Sequence, residues 1–241
     1  MTRPPLVVLG GSYIALSVAR SLHARGVAVH VLGDGRSSLL ASIARSRAVA
    51  SVVPGDEHDI AGSWRAWLGR HAGGAVVLPC SDEGLEFLVH HDDWLRERGA
   101  HPIEHGGEVN LDLLDKERTF ELAAGAGIAA PTVARVDDLD EALARADAAG
   151  WPCALKPVHS HRFARAMAAQ QATPPKAVLV RDPEDLRRTY ARLAPLGEAL
   201  TVTQVVPGPD SAYCSYYTYL DAAGDPLVHL TKRKPRQYPV H

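Results

Sequence analysis

Two lysines are the side chains of this sequence best suited to hold a polyphosphate. Lys116 lies in a predicted helix, and Lys156 follows 40 residues later at the end of a predicted strand. Lysine is scarce here, since only five of the 26 basic residues are lysine (Lys116, Lys156, Lys176, Lys232 and Lys234). Ammonium groups on two neighbouring elements can neutralise phosphate oxygens as compact point charges. We therefore expect both lysines to contact phosphates.

A second segment could hold the rest of a nucleotide. The predicted strand 200–206 runs into Pro207-Gly208, and its last residues, Gln204, Val205 and Val206, can present backbone N–H and C=O groups to an adenine edge. Asp210 comes two residues after the glycine, and its carboxylate can accept hydrogen bonds from ribose hydroxyls. The order and spacing of the two lysines and this segment favour nucleotide binding.

Positive charge is also concentrated in residues 231–239. Arg233 and Arg236 could face a terminal phosphate or a substrate carboxylate, because guanidinium groups bind such oxygens in a bidentate manner. The alternative is a basic segment exposed to solvent.

The first glycine turn allows a dinucleotide interpretation. Gly10, Ser12 and Ala15 occupy the three positions at which a dinucleotide fingerprint needs small residues, and Asp34 could bind a ribose. The serine side chain intrudes where a pyrophosphate would approach the backbone. A general α/β scaffold with a glycine turn is therefore favoured over an NAD(P)-dependent oxidoreductase.

Other candidate sites have simpler explanations. His90 and His91 point apart on a helix, and no further ligand completes a set with His159 and His161. No metal site is therefore predicted in this chain. The segment 81–83 could bind a carboxylate at a helix start, but an ordinary helix cap is the favoured explanation.

The elements that must position these residues change character along the chain. Within residues 1–100, apolar strands alternate with amphipathic helices, which predicts an open α/β sheet with parallel strands. The second half contains helices over 111–124, 139–149 and 184–193, and strands over 151–157, 177–180, 200–206, 212–220 and 227–230. This order is typical of an α+β domain with antiparallel strands.

Composition limits the function classes. The 241 residues carry a net charge of −2, and 46% are hydrophobic. A nucleic-acid or membrane-surface protein usually has a basic excess, and no apolar run approaches the length of a membrane span. Three cysteines without a C-x-x-C pair are expected to be free thiols. We predict a cytoplasmic protein that has small-molecule substrates.

The residues quoted above resemble the ATP-grasp superfamily, in particular its carboxylate–amine ligases. The resemblance implies three parts: a Rossmann-like domain over 1–105, a small ATP-grasp subdomain over 111–197 and an incomplete large subdomain over 198–241. It also implies that ATP lies between two antiparallel sheets. A substrate carboxylate would attack the γ-phosphate, and an amine would capture the acyl-phosphate.

The resemblance assigns roles by position. Lys116 and Lys156 resemble the two lysines that contact the nucleotide phosphates, and Asp210 resembles the acid that binds the ribose. Gln204, Val205 and Val206 resemble the hinge that pairs with adenine. Relatives commonly carry glutamate where this chain has Gln204, so this position keeps a hydrogen-bond acceptor but loses the charge.

The sequence departs from the family pattern in two places. The segment 159–175 contains no glycine, whereas a glycine-rich loop often follows the second lysine in this superfamily. The acid-x-Asn pair that holds Mg²⁺ in the family does not appear in its usual order, because Glu108-Val109-Asn110 precedes Lys116. We therefore expect the Mg²⁺ ligands beyond residue 241 and little activity from this chain alone.

Two other classes of function stay open on the sequence. One is a non-catalytic or partner-completed nucleotide-binding module, and the other is the NAD(P)-dependent oxidoreductase. An unfinished sheet exposes an unpaired edge, so self-association is also expected. Neither the carboxylate nor the amine substrate can be read from the residues.

Overall fold

The computed structural model describes residues 3–35, 38–103, 107–159, 163, 167 and 177–235. The chain divides into two compact units, Met1–Leu114 and Asp115–His241. Each unit is built on its own sheet, and the candidate nucleotide-binding residues belong to the second.

A five-stranded parallel sheet forms the centre of the first unit, in the order β3-β2-β1-β4-β5. Its strands are β1 (Leu6–Leu9), β2 (Val29–Leu32), β3 (Ser51–Val53), β4 (Val76–Pro79) and β5 (His101–Pro102). The described helices of this unit are α1 (Tyr13–His23), α2 (Ser38–Ala44), α3 (Ile60–His71), α4 (Asp82–His90), α5 (Asp92–Arg96) and α6 (Glu108–Leu114).

The central strand β1 is buried on both faces of this sheet. Leu6 and Val8 pack with Ala15 of α1 on one face, while Val7 and Leu9 join a cluster around Trp64 of α3 on the other. A parallel sheet needs helices on both faces, because its strands carry apolar side chains in both directions. Each such buried side chain stabilises the fold by about 1.5–3 kcal/mol.

A four-stranded antiparallel sheet in the order β6-β9-β7-β8 forms the core of the second unit. Its strands are β6 (Val133–Val136), β7 (Cys153–Pro157), β8 (Val178–Val180) and β9 (Leu200–Gln204). The helices whose full extent is described here are α7 (Lys116–Gly125), α8 (Leu139–Ala149) and α9 (Pro183–Leu193). Apolar residues of α8 and α9 bury one face of the sheet.

Two further strands, β10 (Cys214–Leu220) and β11 (Pro226–Arg233), form a separate antiparallel hairpin. Its tyrosines and aliphatic residues are exposed on both faces, for example Tyr216 on one face and Leu230 on the other. Within the described residues, this hairpin pairs with neither of the other sheets.

The predicted change from a parallel sheet to antiparallel strands is therefore confirmed. The helix predicted over 111–124 is wrong in one respect, because Asp115 has extended backbone angles and separates α6 from α7. Its carboxylate bonds the backbone N–H groups of the next turn and so begins a new helix. The short elements α2, β5 and β6 were not predicted.

Candidate functional site

Lys156 lies on the face of the four-stranded sheet that is not covered by α8 and α9. Its neighbour Leu155 points into the apolar cluster, and side chains alternate along a strand, so Lys156 points to the opposite face. Thr201 of β9 is directly opposite Lys156, and Arg135 of β6 is directly opposite Thr201. The three residues form one row across the sheet, and Lys156 is half-buried within it.

Lys116 is the first residue of α7 and is also half-buried. The start of this helix is attached to β6: the Arg135 backbone N–H donates to Glu117 Oε1 at 3.2 Å. The Arg135 guanidinium Nη2 lies 3.2 Å from Asp115 Oδ2. The sequence therefore brings Lys116 to the same face as Lys156 through contacts of its two chain neighbours.

The two lysines repel each other. The pKa of Lys156 is lowered from its ordinary value, first by burial and second by the charge of Lys116. Both effects disfavour the protonated amine. An anion bound between the lysines would relieve this cost, so the pair fits a phosphate group.

A buried hydroxyl on the same face also fits a bound ligand. Thr203 of β9 is 4% exposed, and its Oγ1 has no hydrogen-bond partner among the described residues. Buried polar atoms are nearly always bonded, to protein or to a bound molecule. This residue was not singled out from the sequence.

Gln204 ends β9 and is exposed, but its side-chain oxygen is already engaged. Oε1 accepts from the Thr132 backbone N–H at 3.2 Å and from Thr132 Oγ1 at 3.3 Å. The Gln204 backbone N–H in turn donates to the Thr132 carbonyl at 2.8 Å. Gln204 thus ties the end of β9 to the segment that precedes β6. Val205 is half-buried, and the Val206 side chain after it is exposed.

The remaining predicted site residues are described only in part. Asp210 begins a short 3-10 turn, Asp210–Ala212, but its side chain is not described. Arg233 is the last residue of β11, exposed and opposite Cys214. It therefore belongs to the hairpin and not to the four-stranded sheet. Arg236 and most of the segment 159–175 lie outside the described residues.

The glycine turn of the first unit has a packing explanation. Gly10 has a φ of +106°, and a Cβ on it would lie 2.5 Å from Ser81 Oγ. Ser12 Oγ donates to the Cys80 carbonyl at 3.1 Å and caps α1. Ser81 caps α4 through a 3.1 Å bond from the Gly84 N–H. Close approach of β1 to the start of α4 thus accounts for the glycine.

No group of three or more His, Cys, Asp or Glu side chains that could hold a metal ion is found within the described residues. His91 Nδ1 instead bonds the Phe87 carbonyl at 2.9 Å. His161 is not described. The described residues also include no helix with the length and apolarity that a membrane crossing requires.

Sequence reasoning missed the residues that fix the start of α7 and the end of β9. Asp115, Glu117 and Arg135 connect α7 to β6, and Thr132 anchors Gln204. One signal was present in the sequence, since an aspartate directly before a new helix is a common N-cap. The partners lie 18 to 72 residues away and carry no local signal.

Comparison with solved structures finds similar folds over most of the chain. An N5-carboxyaminoimidazole ribonucleotide synthetase in complex with ADP matches with a TM-score of 0.69 and 15% identity, over 100% of this chain and 58% of that one. An L-amino acid ligase from Bacillus licheniformis matches with a TM-score of 0.63 and 14% identity, over 91% and 48%. No family model and no curated protein sequence matches.

A third match is the biotin carboxylase domain of 2-oxoglutarate carboxylase from Hydrogenobacter thermophilus, described as a complex with MgADP, ADP and bicarbonate. Its TM-score is 0.53 at 22% identity, over 81% of this chain and 43% of that chain. The chain thus spans about half the length of the solved structures it matches. The resemblance drawn from the sequence is confirmed at the level of the fold: the chain has the fold of the ATP-grasp carboxylate–amine ligases.

Proposed function

We propose that the second unit binds ATP and that the chain is the ATP-binding portion of a ligase that joins a carboxylate to an amine. The observation that carries the proposal is the pair of half-buried lysines on one face of the four-stranded sheet. Lys156 stays on this face although burial and Lys116 both lower its pKa. Perturbed cations of this kind are typical of sites that bind an anion.

The fold supports the same assignment. Two of the solved structures with this fold are described as ADP complexes, and one of them as containing a magnesium salt of ADP. In our proposal, Met1–Leu114 serves as the Rossmann-like domain. The resemblance ended the small ATP-grasp subdomain at residue 197, but β9 (Leu200–Gln204) pairs with both β6 and β7, so we assign the whole four-stranded sheet with α7–α9 to it. The β10–β11 hairpin then begins the large subdomain.

Each predicted residue has a proposed role. Lys116 and Lys156 hold the phosphates, the backbone of Val205 and Val206 meets the adenine, and Asp210 binds the ribose. Gln204 keeps the hinge in place, because its side-chain oxygen is bonded to Thr132. Bound ATP would supply the phosphoryl group that activates the carboxylate.

The proposal is tested by replacing one ammonium group. Lys156→Met keeps the stem of the side chain and removes the charge, so we expect ADP to bind about tenfold more weakly or worse by isothermal titration calorimetry. The same variant removes a half-buried charge that repels Lys116, so its melting temperature should rise. Weaker binding together with higher stability distinguishes a ligand site from a structural role.

Arg188→Met is the matched control, because Arg188 lies exposed on α9 away from the sheet face. Arg188→Met should neither weaken ADP binding nor raise the melting temperature. Equal ADP affinities of the wild type and Lys156→Met would overturn the role of Lys156. A wild-type chain that binds NADH but not ADP would instead favour the oxidoreductase.

The hairpin favours a second candidate, the partner-completed nucleotide-binding module. Its apolar side chains are exposed on both faces, which is unusual for a finished sheet. In this alternative the chain binds ADP but acquires activity only with the protein that covers β10 and β11. If the purified chain binds ADP but does not hydrolyse ATP, both the ligase portion and the partner-completed module remain. A second protein that restores ATP hydrolysis would support the module.

A further inference from the structure

Something must hold Lys116 against Lys156, because the two charges repel. Lys116 is the first residue of its helix, so its place depends on how that helix start is fixed. The contacts that fix it converge on Asp115, which precedes Lys116 directly. Asp115 Oδ1 accepts from the Glu117 N–H at 2.9 Å and from the Arg118 N–H at 3.3 Å.

Asp115 differs from the other aspartate caps by reaching a second element. Asp59, Asp138 and Asp182 each accept from the N–H of a residue in their own helix. Asp115 does the same with Oδ1, and its other oxygen, Oδ2, bonds the Arg135 guanidinium on β6 at 3.2 Å. One carboxylate therefore starts the helix and attaches it to the sheet.

Arg135 completes the attachment and is itself in the row that contains Lys156. Its backbone N–H donates to Glu117 Oε1, so the first turn of α7 is joined to β6 by a side chain and by the backbone. Arg135 is opposite Thr201, which is opposite Lys156. Two strand spacings of about 4.8 Å separate Arg135 from Lys156.

We propose that Asp115 and Arg135 are positioning residues of the phosphate site: their ion pair fixes the start of α7 on β6 and so holds Lys116 beside Lys156. The part that concerns phosphate affinity rests on the proposed ATP binding. The part that concerns the place of Lys116 does not, because it follows from the contacts of the second unit alone.

The variant Asp115→Asn tests the proposal, because the positioning role and simple charge attraction predict opposite changes in ADP affinity. Asparagine caps a helix about as well as aspartate, so α7 should still form. Removing a negative charge near the site, and freeing a guanidinium, would by Coulomb attraction alone strengthen ADP binding. If the ion pair positions Lys116, ADP binding should instead weaken by about three- to fivefold, the scale of one partly exposed ion pair.

The matched controls separate this effect from helix capping and from loss of any surface ion pair. Asp182→Asn makes the same change at the cap of α9, and Arg145→Gln removes an ion pair of the same 3.2 Å length on α8. Both should bind ADP as the wild type does. Arg135→Gln should weaken ADP binding at least as much as Asp115→Asn, because it removes a positive charge as well as the ion pair. The double variant should bind ADP no more weakly than Arg135→Gln, because both changes remove the same pair. If the losses of ADP affinity in Asp115→Asn and Arg135→Gln added fully in the double variant, the proposal would be overturned.

A second measurement needs no nucleotide. The five lysines can be labelled as ¹³C-dimethyl-lysine, and the pKa of Lys156 followed by NMR in the wild type and in Asp115→Asn. Loss of the Asp115 charge alone would lower the pKa of Lys156 further, whereas release of Lys116 would raise it towards the ordinary value. A raised pKa supports the positioning role, and a lowered or unchanged pKa overturns it.

The two readouts keep the proposals distinguishable. A wild-type chain that fails to bind ADP would overturn the proposed function, while a raised pKa of Lys156 in Asp115→Asn would still support the positioning of Lys116. A chain that binds ADP equally well with and without the ion pair would overturn the positioning role and leave ATP binding standing.

Discussion

Among the described residues, three half-buried bases have lowered pKa values, and burial is the first cause for each. Their surroundings differ. Lys156 shares its sheet face with a second lysine. His30 and His91 instead lie among aromatic rings of the first unit, His30 tilted against Trp67 and His91 stacked on Phe87 at 4.2 Å. Burial lowers the pKa of each histidine, and neighbouring His71 lowers that of His30 further. In our proposal a bound phosphate accounts for the lysine, whereas packing against aromatic rings accounts for the histidines.

The histidine environments predict how stability depends on pH. A folded pKa below the unfolded value of 6.5 means that the unfolded chain binds more protons, so stability is present above pH 6.5 and is lost as pH falls through the folded pKa. The urea midpoint of the first unit should therefore be lower at pH 5.5 than at pH 7.5. Fluorescence reports mainly on this unit, since Trp64, Trp67 and Trp94 belong to it and Trp151 does not.

The double variant His30→Gln, His91→Gln provides the comparison for this prediction. Without the two bases, the midpoint should change less between the two pH values than it does in the wild type. An equally steep pH dependence in the double variant would show that other groups are responsible.

At the scale of elements, the sequence predicted the helices and strands that depend on contacts between residues close in the chain. It did not predict features that depend on contacts between distant residues. The β1-α1-β2 unit was predicted because apolar spacing and the Ser12 cap are local signals. The break at Asp115 was missed because apolar residues continue on both sides of it, and the ion pair that fixes it joins residues 20 positions apart. Lys116 and Lys156 could be named from the sequence, whereas Asp115, Arg135 and Thr132 needed the pairing of β6 with β9.

The contact between β1 and the start of α4 gives a prediction at the same scale. Gly10→Ala would combine an unfavourable φ of +106° with a Cβ that lies within 2.5 Å of Ser81 Oγ. We expect a loss of about 1–3 kcal/mol in the free energy of unfolding, measured by urea denaturation.

Gly69→Ala is the control for this prediction. Gly69 lies within α3, and a Cβ there would meet no atom within 4 Å. Alanine favours the helix more than glycine does, so this variant should gain up to about 1 kcal/mol. Equal effects of the two changes would mean that β1 does not depend on this close approach.

At the scale of the whole molecule, the β10–β11 hairpin exposes a cluster of large apolar side chains. Leu230, Val228 and Tyr217 lie on one face, and Tyr216 on the other. An edge strand of this length can pair with another chain, because no strand among the described residues pairs with its outer backbone N–H and C=O groups. Lys232 and Lys234 near one end supply positive charge that opposes such pairing only locally.

This surface predicts concentration-dependent self-association. Static light scattering of the purified chain should show an apparent mass that rises with concentration, and Leu230→Glu should reduce the rise by placing a charge on the hairpin. Ile128→Glu is the control, because Ile128 is 62% exposed and lies outside the hairpin. A wild-type chain that stays monomeric at all concentrations would contradict the prediction.

The position of β9 in the sheet order has a consequence for how the chain acquires its site during synthesis. Of the four strands in the second sheet, β9 is the last to leave the ribosome, yet it lies between β6 and β7. Before Leu200–Gln204 emerges, β7 can already pair with β8. In this sheet β6 pairs with β9, so β6 and the start of α7 attached to it cannot join the sheet until β9 is made. Domains tend to fold as units as they emerge. The two lysines, made early and 40 residues apart, therefore meet only when the last strand arrives between them.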